Sequence, residues 1–228
     1  MSRKKQRRKN ERKGPIKLAR KTLKSKTDNQ ADYIEAMSEC DVTFCSGPAG
    51  TGKTAVAVGL ACEYILANKI EKIVITRPVV ESGRGLGHLP GTLTEKVLPY
   101  LIPIVEEMKL YLGMDTFNSM RATNTIEICP LEYMRGRNFH DTFMILDEAQ
   151  NATFEQIKMF LTRIGMNSKA VINGDLDQTD LRGDAHGGLD QIIDALEVVE
   201  GVGICELDYT DIVRNGIISK ILKALKNA

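Results

Sequence analysis

The stretch from Phe44 to Thr54, FCSGPAGTGKT, constrains this chain more than any other. Gly47-Pro48-Ala49-Gly50-Thr51-Gly52-Lys53-Thr54 satisfies G-x-x-x-x-G-K-[ST] at every fixed position. Glycines let a backbone wrap so that successive N–H groups point inward at an anion. The helix that follows adds its positive end and unpaired amides to the same place. The pattern expects Lys53 to reach β- and γ-phosphate oxygens and the Thr54 hydroxyl to ligate Mg²⁺. A glycine turn that binds nothing is the plainer alternative, and a complete match between a strand and a helix argues against it. The chain reads as one that binds nucleoside triphosphate.

Around this loop, strands alternate with helices. Thr27-Asp28-Asn29-Gln30 reads as the cap of a helix from Ala31 to Glu39, and Asp41–Cys45 as the strand that delivers the loop. Thr54 to about Asn68 is small and apolar, as a helix packed on a sheet would be. Ile73–Thr76 is a continuous apolar strand of the kind found in parallel sheets covered on both faces. Further strands are expected at Ile126–Cys129, Thr142–Leu146, Lys169–Asn173 and Gly203–Leu207. Thr92-x-x-Glu95 and Thr153-x-x-Gln156 are capping boxes for two helices, the second running through Arg163. Pro99 and Pro103 are expected to kink the first of these helices or divide it. Helices near Leu189–Val199 and Asp211–Leu225 complete an α/β pattern that implies a mostly parallel sheet flanked by helices.

With 228 residues the chain accommodates one such domain. It contains no apolar run of membrane-spanning length, and the basic N-terminus lacks the apolar core of a secretory signal. The five cysteines form no C-x-x-C pair and Cys45, Cys62 and Cys129 sit in apolar runs, a usage that suits a reducing cytoplasm. The net charge of +1 conceals an asymmetry: residues 1–27 carry thirteen Lys or Arg against Glu11 alone, which leaves an acidic body. Residues 1–27 therefore read as a disordered basic tail and 28–228 as the folded domain. The tail fits an arm that neutralises nucleic-acid phosphates, or a solvated tail, or one that lies on the acidic body of a neighbouring copy.

A second stretch supplies chemistry. The apolar strand Thr142–Leu146 ends in Asp147-Glu148-Ala149-Gln150. An acid at that tip can hold Mg²⁺, and the next acid is placed to orient and deprotonate a water attacking the γ-phosphate. The plainer reading, that both acids only favour the N-terminus of the next helix, is weaker beside a phosphate loop. The long loop after Thr76 carries Arg77 and Arg84 at the ligand-binding edge of the sheet.

These residues carry a resemblance. Asp147-Glu148-Ala149-Gln150 resembles the DEAQ form of the Walker B motif, and Gly174-Asp175-x-x-Gln178 resembles the G-D-x-x-Q motif of superfamily-one helicases. Together with TRPVVESGRGLGHLPG, PLEYMRGRNF and DIVRNG they resemble the PhoH-like family of ATPases over about residues 28–222. The resemblance implies a single RecA-like P-loop NTPase core with ATP and Mg²⁺ as cofactors. It implies that Gln178 senses the γ-phosphate, that Gln30 contacts adenine and that Arg214 stabilises charge in the transition state. From the residues alone, Arg214 reads equally as a surface arginine near Asp211. The resemblance also implies that Arg77 and the Ser82–Gly91 loop, with Arg84, face nucleic acid, and that Arg135, Gly136 and Arg137 face nucleotide or a neighbouring subunit.

A two-domain helicase that closes a cleft within one polypeptide does not fit this length. ATP would then be sandwiched between copies in a ring, a hexamer by preference. The functional expectation is a cytoplasmic ATPase coupled to single-stranded RNA or DNA, with translocation or unwinding as the output. The alternative is an ATP-switched assembly protein with slow hydrolysis. A small-molecule kinase fits poorly, because neither an arginine-bearing lid nor an acceptor pocket is readable.

Overall fold

The computed structural model describes residues 20–78, 93–176, 178 and 188–213, with residues 93–100 by backbone alone. Six parallel strands form one sheet: β1 (Val42–Ser46), β2 (Lys72–Arg77), β3 (Ile126–Pro130), β4 (Thr142–Leu146), β5 (Lys169–Gly174) and β6 (Val202–Glu206), in the order β3-β2-β4-β5-β1-β6. Because all run one way, every strand delivers its carboxyl end to the same edge, where ligands of open α/β sheets bind.

Alternation along each strand builds a core on both faces. Cys45, Ile73, Ile75, Phe143, Ile145 and Val171 face one layer, made of α1 (Asp28–Glu39), α2 (Lys53–Leu66), α3 (Leu93–Leu112) and α4 (Met114–Ala122). Phe44, Val74, Met144, Leu146, Ala170 and Ile172 face the other, made of α5 (Phe154–Leu161), α6 (Gly188–Leu196) and the short turn Leu131–Met134. Strand β4 is buried throughout, which is why its sequence is apolar without alternation. Strand β6, at the edge, is only partly covered.

Several expectations shift. Helix α1 begins at Asp28 with Thr27 as its cap, and α2 begins at Lys53. Helix α3 runs unbroken through Pro103 to Leu112, because Leu101, Ile104, Met108 and Leu112 form one fully buried face whose packing outweighs a missing hydrogen bond. The division falls instead at Gly113, with φ of 79°, ahead of α4. The Thr92–Glu95 capping box and the helix expected beyond Val213 lie outside the described residues. The Thr153–Gln156 capping box forms with both of its hydrogen bonds.

The tail is seated on the body from Arg20 onward. Arg20 donates to Thr116 Oγ1 at 3.1 Å, the Lys21 ammonium meets Glu107 and the ring of Tyr111, and Leu23 N donates to Glu63 at 2.9 Å. Arg137 is also bound within the fold: its guanidinium holds the Glu127 carboxylate through bonds of 2.6 and 2.7 Å and lies over the Phe139 ring. With Lys72 on the same carboxylate, these cations hold Glu127 down at about 2. Among the described residues no helix is long and apolar enough to cross a membrane.

Candidate nucleotide site

Strand register sets the site. Thr76, Leu146, Ile172 and Phe44 are paired in one row across β2, β4, β5 and β1, so Arg77, Asp147, Asn173 and Cys45 occupy the next level toward the edge. Helix α2 starts just beyond β1, with the loop 47–52 between them. A cavity of about 480 Å³ opens there, lined by the loop and by Lys53, Thr54, Asp147, Glu148, Asn173, Asp175 and Gln178.

The loop depends on two glycines. Gly47 has φ of 144°, and a Cβ there would meet the Leu207 carbonyl oxygen at 2.1 Å. Gly52, with φ of 96°, caps α2 in the left-handed region. Thr51 is fully buried, its hydroxyl donating to the Pro48 carbonyl at 2.9 Å. Its carbonyl accepts from Gln30 Nε2 at 2.8 Å, and Gln30 Oε1 accepts from Lys26 N at 2.9 Å. Gln30 is therefore a buried clamp on the turn of the loop, with both ends of its amide engaged by the protein.

Ala49, Gly50, Gly52, Lys53 and Thr54 line the cavity, whereas Gly47, Pro48, Thr51 and Gln30 are not part of its lining. The Lys53 ammonium lies on the Gly47 and Pro48 carbonyls, inside the loop that its charge would help fill with phosphate. Thr54 Oγ1 donates to Asp147 Oδ1 at 2.7 Å, which joins the first residues of α2 to the tip of β4 across the intervening strand. Burial pushes the Asp147 carboxyl up to about 6, and the charge of Glu148 adds to it, while the Thr54 hydroxyl and Arg77 oppose it.

Glu148 holds a left-handed backbone, φ 55° and ψ 43°, which is costly for a residue with a Cβ. Its carboxylate is bound on both oxygens, by Arg77 at 3.0 Å and by Gln150 Nε2 at 2.6 Å. Gln150 Oε1 in turn accepts from Asp175 N at 3.1 Å, so one chain of contacts links the tips of β2, β4 and β5. Arg77, expected on a nucleic-acid face, thus contacts the residue expected to act as base.

Gln178 lines the cavity and is exposed. Arg84 and Arg214 lie outside the described residues, although Val213 reaches the cavity wall. The segment before it is anchored by Asp211, whose buried carboxylate accepts from Asn29 Nδ2 at 3.0 Å and Asp208 N at 2.7 Å. Asn173 was not expected; it looks like an ordinary strand end in the sequence.

The donor set fits a hard divalent cation. Thr54 and Asp147 offer a hydroxyl and a carboxylate oxygen side by side, and Mg²⁺ takes few protein ligands while keeping waters and phosphate oxygens. No group of three or more His, Cys, Asp or Glu able to hold a metal occurs among the described residues. Burial raises the Cys45 thiol and pushes Cys62 and Cys129 up to about 12, so these sulfurs are protonated and unsuited to attack.

The large terminase of a thermophilic bacteriophage, solved with ADP, shares the fold over 86% of this chain and 49% of its own, with a TM-score of 0.53 and 11% identity. The likeness is one of fold, a RecA-like parallel sheet flanked by helices. A PhoH-like protein of Bacillus subtilis is 46% identical over 204 residues, which are 90% of this chain and 64% of the relative. A PhoH-like protein of Mycobacterium tuberculosis strain H37Rv is 44% identical over 90% of this chain and 58% of its own. Protein PhoH of Escherichia coli K12 is 36% identical over 88% and 57%. The chain spans about three fifths of the length of these relatives. The family model for PhoH-like proteins matches residues 22–226, and the chain belongs to the PhoH-like family.

Proposed function

We propose that this chain is an Mg²⁺-dependent ATPase whose turnover is coupled to single-stranded nucleic acid. The observation that carries the ATPase reading is the 2.7 Å contact between Thr54 and Asp147, with Lys53 and Glu148 on the walls of the same cavity. Lys53 and the loop amides take the β- and γ-phosphates, and Thr54 and Asp147 hold Mg²⁺, which neutralises charge on the phosphate oxygens. Glu148 accepts a proton from the water whose oxygen bonds to the γ-phosphorus, as the bond to the ADP oxygen breaks. Gln178 orients toward the terminal phosphate, and Arg214, in cis or from a neighbouring copy of a hexameric ring, stabilises the charge that develops there. Gln30 shapes the loop through the Thr51 carbonyl, and the adenine contact is the role that the family motif implies for it.

The coupling to RNA or DNA rests on the basic sequence of residues 1–27, most of it ahead of Arg20, on Arg77 at the tip of β2, and on Arg84 in the sequence that follows it. Such contacts release counterions, so stimulation of ATP turnover by single-stranded RNA or DNA should fall steeply with salt. Titrating both polymers against the steady-state rate at several salt concentrations tests this reading. A rate indifferent to either polymer sinks the coupling and leaves a switch.

One observation favours that second reading, an ATP-switched assembly protein with slow hydrolysis. The Glu148 carboxylate is occupied by Arg77 and Gln150, which describes a base held at rest. Nucleotide-dependent oligomerisation without polymer-stimulated turnover would favour it.

A further inference from the structure

Tyr33, on α1, and Asn173, at the end of β5, are 140 residues apart in the chain, and neither is exposed at all. The Tyr33 hydroxyl donates to Asn173 Oδ1 at 2.6 Å, the one hydrogen bond it makes among the described residues. That bond fixes the amide. Its oxygen must face Tyr33, because the reverse orientation would leave the phenolic proton without an acceptor. The amide nitrogen is thereby turned away from Tyr33, and Nδ2 has no hydrogen-bond partner in the protein.

A buried donor left unpaired is costly, so such groups are few in folded proteins. This one belongs to a residue of the cavity wall, beside Asp147 at the same level of the sheet and between the phosphate loop on β1 and the acids on β4. The nitrogen is buried on a residue of the cavity wall, and an oxygen of a ligand seated there is the acceptor that would satisfy it. Lys53 and the loop amides take the β- and γ-phosphates in the reading above, and Asn173 lines the same cavity as Lys53.

The geometry points to Asn173 as a sensor of the terminal phosphate, with its Nδ2 donating to a γ-phosphate oxygen and Tyr33 as the positioning residue that aims it. This inference rests on the nucleotide-site reading above. It adds a donor that distinguishes triphosphate from diphosphate, and it ties that distinction to α1, since the hydroxyl that orients the amide sits on that helix.

The test is the affinity of the whole chain for the Mg²⁺ complexes of AMP-PNP and ADP, by calorimetry, in the parent, Asn173→Ala, Tyr33→Phe and the double variant. The ratio of the two affinities is the readout. A hydrogen bond to a charged acceptor predicts about a tenfold or greater loss of AMP-PNP affinity in Asn173→Ala, with ADP affinity kept. Tyr33→Phe should lose part of the same preference. Asn173→Ala alone strands the Tyr33 hydroxyl and should lower the melting temperature. The double variant removes both partners and should recover stability while its preference for AMP-PNP stays lost. A parent-like ratio in the double variant, or equal loss of both nucleotides, overturns the assignment and leaves Asn173 a structural amide. Failure of the parent to bind either nucleotide would instead overturn the nucleotide-site reading itself.

Discussion

Arg77 and Glu148 form an ion pair of 3.0 Å between the tip of β2 and the residue that follows Asp147. Each group is partly exposed, so the pair contributes little to stability. Its consequence is positional, because it holds the carboxylate proposed to receive a proton. Arg77→Ala is predicted to raise basal ATP turnover several-fold while reducing any stimulation by single strands, with an unchanged melting temperature. Steady-state assays of the variant with and without RNA check this.

Asp147 titrates in the opposite sense to most paired acids. Its folded-state value is raised to about 6 from 3.8, so the neutral form is the favoured one inside. The stability this contributes is full below the unfolded value and is lost as pH rises through about 6. Without Mg²⁺ at pH 7–8, Asp147→Asn should therefore stabilise the protein, by about 1–3 kcal/mol. The gain should vanish near pH 4. Melting curves across that range, in chelator, test it, and the same variant should lose Mg²⁺-dependent turnover.

Gln30 separates two accounts of the phosphate loop. As a clamp on Thr51 it acts on every nucleotide alike; as an adenine contact it acts on ATP alone. Gln30→Ala is predicted to weaken AMP-PNP and GMP-PNP binding by the same factor, about five- to tenfold for one lost buried hydrogen bond. A loss confined to the adenine nucleotide would favour the base contact.

Glu127 gives an acid-side prediction. Its value is lowered to about 2, first by Arg137 and then by Lys72. The stability it contributes is present above the ordinary carboxylate range and is lost as pH falls toward 2. Glu127→Gln should cost about 1–3 kcal/mol at pH 7 and much less at pH 3, measured by urea unfolding at both.

The parts of this molecule that were legible in its sequence are those encoded locally. The phosphate loop is one continuous stretch, and the tip of β4 announces itself by four apolar residues, Phe143–Leu146, followed by two acids. The Thr153–Gln156 box needs only four residues to be recognised. What escaped depends on distant chain. Gln30 reads in the sequence as part of a helix cap, and its hold on the loop is hidden because its partner, Thr51, is 21 residues away. Asn173 became notable only when Tyr33 arrived from α1 to fix its amide. Pro103 suggested a break in α3 that the buried face around Ile104 and Met108 overrides. Helix α4 went unread because its sequence buries only Phe117.

The most direct test of the central claim is Mg²⁺-ATP hydrolysis under single-turnover conditions in the parent and in Glu148→Gln. The account predicts that the parent releases phosphate and that Glu148→Gln binds ATP with similar affinity while its rate falls by about a hundredfold or more, as expected for removal of a general base. Phosphate release by Glu148→Gln at the parent's rate would contradict it and remove Glu148 from the chemistry.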